Sequence, residues 1–275
     1  MEISNEIYKY FADIIYKNTG IVYLERDYFR LESRVVNLCK EFGVEDAKSL
    51  YTMFIQNTTA DMLSKLLDIG TNNESYFFRD DKQFKAFFNE IAPIYLDKSH
   101  GNLSIWCAAS SFGQEPYSIY MGLNDKFSSK MSSISIEATD ISNHALERAK
   151  KGNYDGIEIQ RGLPITTLMK YFSQEENETW TICKEARDKI HYSKFNLLSG
   201  IYPSQKYDVI FCRNVLIYQN EENRKDILKR LVTSLRPNGF LLLGSGESLI
   251  GMGVNLKSTN FNGSYVYKNE VKEAA

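Results

Sequence analysis

A turn between an apolar run and a helix carries the first side chain able to bind a polar ligand, Glu115. The turn, Ala108–Pro116, contains one glycine and is a poor match to the Gly-x-Gly-x-x-Gly turn of dinucleotide-binding proteins. This poor match fits a ligand that has no phosphate to be cradled. Glu115 can accept hydrogen bonds from an ammonium or hydroxyl group of such a ligand. Alternatively, it only complements the positive N-terminus of the helix that Pro116 opens, and the spacing leaves both roles open.

A second carboxylate, Asp140, closes the next apolar run, residues 134–139. In nucleoside-binding sheets an acid at this position binds the ribose hydroxyls, and the position in the fold favours that role. The alternative is a turn or a helix cap formed together with Ser142. Spacing alone does not decide between them.

The segment Thr71–Asp80 holds three consecutive aromatic residues between polar groups, which suggests a chain that crosses a cleft between two domains. Its composition alone favours a structural role. In that role the phenylalanines pack in the core, and Arg79 pairs with Asp80 or Asp81.

The segment Cys212–Tyr218 places Arg213 and Asn214 directly after an apolar run. An arginine at such a position is costly to bury unless it has a partner. A structural ion pair with a neighbouring acid would provide one. Because a strand end and a polar cluster coincide here, we favour membership of a binding site.

The order of the predicted elements brings these segments to one edge of a sheet. The first seventy or so residues show apolar residues at helical spacing, with a cap at Ser4 and Asn5 and a stop at Gly43. After Asn102 the pattern is strand, turn and helix, repeated, which predicts a parallel sheet with helices on both faces. Such sheets bind ligands at the carboxyl ends of their strands. The stretch from about residue 162 to 187 interrupts the pattern and predicts an insertion.

The composition argues against several classes of function. Lysine plus arginine (33) nearly balance aspartate plus glutamate (35), which speaks against a nucleic-acid binder. The three histidines show no metal-ligand spacing, so we expect no metal site. No apolar run approaches the ~20 residues that span a bilayer, and the N-terminus is no signal peptide. With four separated cysteines expected to be reduced, the sequence predicts a cytoplasmic protein without membrane insertion.

Taken in order, the polar segments resemble the motifs of the chemotaxis receptor methyltransferases, the CheR family. Thr71–Asp80 resembles T-x-N-E-[ST]-x-F-F-R-[DE], and residues 105–118 resemble I-W-S-A-x-x-S-x-G-E-E-P-Y-S. Residues 138–142 match A-T-D-I-S, residues 196–197 match N-L, and Cys212–Tyr218 matches C-R-N-V-L-I-Y. The ordered matches run from about residue 70 to 247, and the helical N-terminal part agrees in size and character.

The resemblance implies an α/β protein in three parts. Residues 1–70 would form a small all-helical domain that docks on the receptor, and residues 71–90 a linker contributing to the active site. Residues 91–275 would form a Rossmann-like class I methyltransferase domain, with a small β subdomain inserted at about 162–190. The implied reaction is methyl esterification of receptor glutamates by S-adenosylmethionine, with S-adenosylhomocysteine as product and no metal.

The functional residues of the family carry over onto ten positions of this sequence. Arg79 and Tyr218 are the implied catalytic residues, and our hypothesis is that they orient the substrate carboxylate. Cofactor binding is implied for Asn73, Ser75, Arg79, Glu115, Asp140, Asn196, Leu197, Arg213 and Asn214. Two departures from the family pattern are expected to be tolerated. Gln114 replaces the first acid of E-E-P, and Ser75 replaces a common threonine but keeps the hydroxyl.

Two features bear on the partner. Arg26, Arg30 and Arg34 recur every fourth residue and are predicted to line one side of the second helix, either as a docking strip for receptor helices or as an ordinary solvated face with local ion pairs. The segment Ser173–Trp180 has no glycine. Family members that bind a receptor's C-terminal pentapeptide carry a glycine-containing loop there. We therefore predict that this protein does not require such a tether. Separately, we expect it to be a monomer.

Other functions remain open at this stage. One is a methyltransferase that acts on a small molecule, on RNA or on a non-receptor target in another signalling pathway. The near-neutral charge speaks against RNA, and the helical N-terminal part speaks against a small metabolite. Another is a cofactor-binding sensor that has lost turnover, which the joint presence of Arg79, Asp140, Asn214 and Tyr218 disfavours.

Overall fold

The computed structural model describes residues 3–97, 101–176, 178–261 and 263–270. The other residues of the predicted domains lie outside the described residues, among them His100 of the histidine pattern and Asn177 of the glycine-free segment. Within the described ranges, a group of helices is followed by a mostly parallel sheet with helices on both faces. The predicted α/β class is therefore confirmed.

Four short helices precede the sheet, and local sequence explains where they begin and end. They are α1 (Asn5–Thr19), α2 (Tyr28–Phe42), α3 (Ala47–Gln56) and α4 (Ala60–Gly70). The Ser4 hydroxyl accepts from the backbone N–H of Ile7 and caps α1, as the sequence predicts. Gly20 (φ 73°) and Gly43 (φ 65°) end α1 and α2 in the left-handed conformation. Helices this short are marginal alone, so their apolar faces pack into a shared core.

The arginines predicted to line one side of the second helix do not form such a strip. Arg26 lies in a 3-10 turn, Glu25–Asp27, that precedes α2. Arg30 lies on α2 and forms an ion pair of 2.7 Å with Asp27, so the interpretation as a face with local pairs describes this residue.

Arg34 points its charge toward the protein instead of toward a partner. Its guanidinium donates to the Tyr23 hydroxyl at 2.5 Å and to the Gly70 carbonyl at 3.3 Å. These bonds join α2 and the segment that precedes it to the end of α4. The prediction that Arg26, Arg30 and Arg34 line one side of the second helix is wrong, because Arg26 precedes α2. Arg34 is on α2, but Tyr23 and the end of α4 supply acceptors to it.

From residue 81 onward the chain alternates helices and strands. In chain order they are α5 (Asp81–Ala86), a π-helical turn (Phe87–Ile91), α6 (Ala92–Leu96), β1 (Leu103–Ala108), α7 (Gln114–Phe127), β2 (Ile134–Asp140), α8 (Asn143–Lys151), β3 (Asn153–Tyr154), α9 (Gly156–Gln160), α10 (Ile165–Tyr171), β4 (Phe172–Gln174), β5 (Trp180–Ile182), α11 (Lys184–Lys189), β6 (Ile190–Lys194), β7 (Tyr207–Cys212), α12 (Glu221–Ser234), β8 (Leu235–Leu243), β9 (Lys257–Phe261) and β10 (Ser264–Lys268).

The main sheet has the strand order β6-β2-β1-β7-β8-β10-β9. The first five strands of this order are parallel to one another, and β10 and β9 are antiparallel additions at one edge. Every residue of β7 is buried, as expected for a central strand covered on both faces. The chain places β1, β2 and β6 outward in one direction and then returns to add β7 on the other side of β1. The crevice above β1 and β7 is therefore the expected place for a ligand.

A second, smaller sheet interrupts this alternation. It has the order β3-β5-β4 and pairs antiparallel throughout. Its first strand, β3, lies N-terminal to residue 162, where the sequence pattern places the start of the insertion. Tyr154 of β3 is buried and packs edge-on against Phe77, which connects the small sheet to the segment that precedes α5.

The N-terminal helices attach to the main sheet at the carboxyl ends of its strands. Asn196, which follows β6, donates to the Asn18 carbonyl at 2.7 Å. Gln219, which follows β7, donates to the Thr19 carbonyl at 3.0 Å and forms an isolated β-bridge with Ile21. The end of α1 is thus held directly over the edge where a ligand would bind.

Candidate active site

All ten sequence-predicted site residues line one cleft at the carboxyl edge of the main sheet. The space within the cleft is about 920 Å³ when its open mouth is included. The predicted residues in its lining are Asn73, Ser75, Arg79, Glu115, Asp140, Asn196, Leu197, Arg213, Asn214 and Tyr218. Seven of them lie at or after the ends of four parallel strands, which meet at this edge, and the other three belong to the segment between α4 and α5 that crosses it.

The floor of the cleft is the turn between β1 and α7. Ala109, Ser111 and Gly113 all have positive φ, and Gly113 (φ 90°) immediately precedes α7. A Cβ at Gly113 would also lie 2.8 Å from the hydroxyl of Tyr192, so this position requires glycine. The Tyr154 hydroxyl donates to the Phe112 carbonyl at 2.7 Å and supports the turn from the small sheet.

Asp140 stabilises the turn between β1 and α7 and also lines the cleft. Its two carboxylate oxygens accept from the backbone N–H groups of Ser111 and Ser142, each at 2.9 Å. Burial raises the pKa of the Asp140 carboxyl, and these N–H groups partly oppose the rise. A carboxylate has about four acceptor sites, so two remain for hydroxyl groups in the cleft. Asp140 can therefore stabilise the turn and bind ribose hydroxyls at the same time, which are the two roles that the sequence leaves open.

Arg213 is held by protein groups on three sides. Its side chain is 2% exposed, and it donates to Glu115 at 2.9 Å and to Asp80 at 2.9 Å. Further bonds join it to the Gln83 side chain at 2.6 Å and the Arg79 carbonyl at 2.5 Å. Four of the five N–H donors of the guanidinium are thus used. The structural ion pair considered from the sequence exists, and contact with a ligand is limited to the remaining N–H.

Glu115 is the carboxylate that Arg213 positions in the cleft. Burial raises the pKa of the Glu115 carboxyl, and the charges of Arg213 and Arg79 oppose the rise. One of its oxygens accepts from Arg213. Its side chain remains 13% exposed, so a ligand ammonium or hydroxyl group can reach it.

Arg79 lines the same cleft and has no ion pair with any residue that the structure describes. Its guanidinium donates to the Glu74 carbonyl at 3.2 Å and lies 5.5 Å from the ring centre of Tyr76. The pairing of Arg79 with Asp80 or Asp81 that composition favours is wrong. Asp80 pairs with Arg213, and Asp81 pairs with Lys85 instead.

The phenylalanines beside Arg79 have the structural role that composition favours. Phe77 is fully buried and packs edge-on against Phe172 as well as Tyr154. The backbone N–H of Phe78 donates to the Ser118 hydroxyl on α7 at 2.9 Å. The segment thus crosses the cleft with its apolar side in the core and Arg79 facing the open side.

The wall after β6 is formed by Asn196 and Leu197. The Asn196 amide donates to the Asn18 carbonyl and accepts from the backbone N–H of Leu198 at 2.9 Å, so half of its bonding capacity is left for a ligand. Phe195 and Leu197 also line the cleft and give this wall an apolar character. Such a wall suits a flat aromatic group of a ligand.

Sequence inspection did not single out Glu247, although it organises the loop that carries Asn214 and Tyr218. Its carboxylate accepts five backbone N–H groups at 2.7–3.3 Å, those of residues 214–217 and of Gly244. Asn214 itself has a positive φ of 57°. No local pattern could have revealed this carboxylate, because about thirty residues separate it from the loop that it holds.

Two other residues that line the cleft were not predicted from the sequence as site residues. Asn72 lines it and donates to the Tyr218 hydroxyl at 2.5 Å. Ser110 also lines it, is 2% exposed, and has a hydroxyl without a hydrogen-bond partner in the described part of the chain. A buried hydroxyl left without a partner indicates a place where a ligand makes the missing bond.

These observations fit S-adenosylmethionine. Its ammonium and ribose hydroxyls need acceptors, which Glu115 and Asp140 supply, and its adenine needs an apolar wall such as that beside Leu197. Within residues 3–97, 101–176, 178–261 and 263–270, no three histidine, cysteine, aspartate or glutamate side chains come together as a metal site. No helix in those same ranges is long and apolar enough to cross a bilayer.

Comparison with known proteins agrees with the geometry. The family described as "CheR methyltransferase, SAM binding domain" matches residues 73–264. The chemotaxis protein methyltransferase Cher2 of Pseudomonas putida is 31% identical over 98% of this chain and 99% of its own length. Chemotaxis protein methyltransferase 1 of Pseudomonas aeruginosa is 30% identical over the same shares. The chemotaxis protein methyltransferase of Borreliella burgdorferi is 32% identical over 86% of each chain. The chain therefore belongs to the CheR family of S-adenosylmethionine-dependent methyltransferases.

Proposed function

We propose that this methyltransferase esterifies glutamate side chains of chemotaxis receptors and produces S-adenosylhomocysteine. The observation that carries the proposal is Arg79, a cleft arginine without an ion pair among the described residues. An unpaired guanidinium beside a cofactor site is suited to hold a substrate carboxylate by two parallel hydrogen bonds. The names of the relatives, all chemotaxis protein methyltransferases, support the same pathway over a non-receptor target.

The cofactor is proposed to be held by the loops that end the parallel strands. Glu115 accepts from its ammonium group, and Asp140 accepts from its ribose hydroxyls. Asn73, Ser75, Asn196, Leu197 and Asn214 complete the site, and Arg213 acts mainly through Glu115. When bound, S-adenosylmethionine supplies a sulfonium methyl group, whose transfer breaks the C–S bond, forms a C–O bond and leaves a neutral ester and a neutral thioether.

The protein's contribution is placement and exclusion of water. A glutamate with a pKa of ~4.3 is ionised near neutrality, so no general base is required. Two opposite charges vanish during transfer, and a cleft with little water favours that change over bulk solvent. Fixed placement of the reacting groups can supply up to roughly 7–11 kcal/mol.

Arg79 and Tyr218 are proposed to orient the substrate carboxylate. Arg79→Lys keeps the positive charge but cannot reproduce the planar two-point contact. Because Arg79 is also an implied cofactor contact, transfer is measured at saturating cofactor, where we expect the single-turnover rate to fall at least tenfold. Unchanged methyl transfer with intact cofactor binding would eliminate this role.

Receptor docking is proposed for the helical region, residues 1–70, with residues 71–90 forming the connection to the active site and residues 91–275 the catalytic domain. In this region the Arg26 side chain is exposed and the Arg30 side chain is partly exposed, so both can contact a partner. Reversing the charge at Arg30 should raise the Michaelis constant for receptor without altering cofactor affinity. Arg34→Glu is not an equivalent test, because it would also break the bonds to Tyr23 and Gly70.

We further propose that the enzyme acts as a cytoplasmic monomer without a pentapeptide tether, nucleic acid or metal. The tether prediction rests on the glycine-free segment 173–180. A pulldown with receptors that end with and without the pentapeptide checks it. Equal recovery is expected, and recovery that depends on the pentapeptide would contradict the prediction.

Incubation with methyl-labelled S-adenosylmethionine and receptor membranes tests the function itself. Label on receptor protein that mild base removes is expected, because methyl esters hydrolyse readily. Label on RNA or on a small molecule would favour the alternative substrates, and binding without any transfer would favour a sensor.

A further inference from the structure

Asn72 forms a short contact with the proposed catalytic tyrosine. Its side-chain nitrogen lies 2.5 Å from the Tyr218 hydroxyl oxygen, although 146 positions separate the two residues in the chain. Both residues line the cofactor cleft. Position 72 is the unspecified residue of the T-x-N-E motif, so the sequence pattern assigns it no role.

The direction of this hydrogen bond determines what Tyr218 can do. An amide N–H only donates, so the phenol oxygen of Tyr218 acts as the acceptor. The hydroxyl hydrogen of Tyr218 is then left for another acceptor, and none is found among the described residues. A substrate carboxylate entering the cleft supplies such an acceptor.

Both partners are fixed through their backbones. Asn72 follows Thr71, whose N–H and hydroxyl bond to carbonyls of α4, those of Leu67 and Asp68. Tyr218 ends the 3-10 turn Leu216–Tyr218, whose first two N–H groups bond to Glu247, and its own N–H donates to the Val215 carbonyl at 3.3 Å. Its carbonyl accepts from Val22 at 2.9 Å. Little freedom remains to be lost when the pair forms, so the contact can define the orientation of the phenol.

We propose that Asn72 is a positioning residue that turns the Tyr218 hydroxyl hydrogen toward the substrate carboxylate. This inference rests on the proposed glutamate methylation. It adds Asn72, which lies just after α4, to the catalytic arrangement. The hydrogen bond between Asn72 and Tyr218 then connects the end of the helical region to the reacting groups.

Four variants and a control test the inference in single-turnover methylation of receptor, with cofactor affinity measured by calorimetry. Asn72→Ala should lower the transfer rate about tenfold, the factor that a typical hydrogen bond represents, and leave cofactor affinity within about twofold. Asn72→Asp should lower the rate further, because a carboxylate accepts the Tyr218 hydrogen and withdraws it from substrate. Exposed Asn57, directly after α3, provides the matched control Asn57→Ala, which should match the wild type.

The double variant Asn72→Ala, Tyr218→Phe separates positioning from general damage to the fold. If Asn72 acts through Tyr218, the double variant should be no slower than Tyr218→Phe alone. Independent, multiplicative losses would overturn the assignment. A wild-type rate in Asn72→Asp would also overturn it, because Tyr218 would then already donate to residue 72 in the wild type. A wild-type enzyme that leaves receptor glutamates unmodified would overturn the proposed function itself, a result read from the same assay before any variant is compared.

Discussion

Replacing Arg213 with methionine removes the charge at the centre of the buried network while keeping an unbranched side chain of moderate length. The change deletes bonds to Glu115, Asp80, Gln83 and the Arg79 carbonyl. Two carboxylates are then left without the cation that compensates their burial. Because the Arg213 side chain is only 2% exposed, water cannot readily replace it.

The expected loss of stability is large. Removing one partner of a buried ion pair typically costs about 3–5 kcal/mol, because the other charge stays buried without compensation. An ordinary domain has a total stability of about 5–15 kcal/mol, so a substantial part would be lost. Arg213→Lys keeps the charge but loses the fork of donors, and its loss should be smaller.

Equilibrium unfolding in urea measures these losses. The control is Lys225→Met, which breaks an i,i+4 pair with Glu221 on the surface of α12, where side chains are 38% and 64% exposed. Such a pair is worth about 0–1 kcal/mol. A loss in Arg213→Met no larger than that of Lys225→Met would refute the view that Arg213 compensates buried carboxylates.

The same variant has a predicted pH dependence. Burial raises the pKa of the Glu115 carboxyl, so the folded protein holds this proton to higher pH than the unfolded chain does. The contribution of Glu115 to stability therefore falls as pH rises through the interval between the two pKa values. Without Arg213 the folded pKa rises further, and the loss relative to wild type should be larger at pH 7 than at pH 5. A loss that is equal at both values would contradict this assignment.

Three further predictions concern other parts of the site. Gly20→Ala and Gly43→Ala should each cost roughly 1–2 kcal/mol, because both glycines have positive φ. Only Gly20→Ala should also weaken cofactor binding in calorimetry, because its Cβ would overlap the Gln219 side chain, whereas a Cβ at Gly43 meets open space. Glu247→Gln should cost about 1.5–3 kcal/mol in urea unfolding and slow methyl transfer, because five N–H groups lose a charged acceptor. Glu115→Gln should raise the cofactor dissociation constant about tenfold or more, and an unchanged constant would remove Glu115 from the binding site.

The sequence predicts which residues come together in the site, because this depends on local patterns that mark each strand and helix. Alternation of strands and helices implies a parallel sheet, and the carboxyl ends of parallel strands meet at one edge. Polar residues at the ends of β1, β2 and β7, or in the turns after them, therefore had to be neighbours, as Glu115, Asp140 and Asn214 are.

The side-chain pairing inside the site could not be predicted in the same way. Asp80 was expected to pair with its neighbour Arg79 but pairs with Arg213, more than a hundred residues away. Glu247 was missed for the same reason, since its partners belong to another loop. Such contacts depend on the paths of loops between elements, and helical or strand periodicity says nothing about those paths.

The helical region shows a related limit. Helical spacing correctly predicts α1 and α2, including the stop of α2 at Gly43. It could not predict that Arg34 would turn inward, because the acceptor at Gly70 lies at the end of a different helix. Regular spacing establishes which residues share a helix face only where the helix extends over all of them, and Arg26 precedes α2.

Mass-spectrometric mapping of the transferred methyl group on a receptor tests the central claim most directly. A receptor cytoplasmic fragment would be incubated with the enzyme and S-adenosylmethionine bearing a deuterated methyl group, then digested and sequenced before and after mild alkaline treatment. We predict deuterated methyl groups on glutamate side chains of helical peptides, lost as methanol in alkali and absent with Glu115→Gln at limiting cofactor. Methyl groups on nitrogen that survive alkali, or an unmodified receptor with a competent enzyme, would contradict the account.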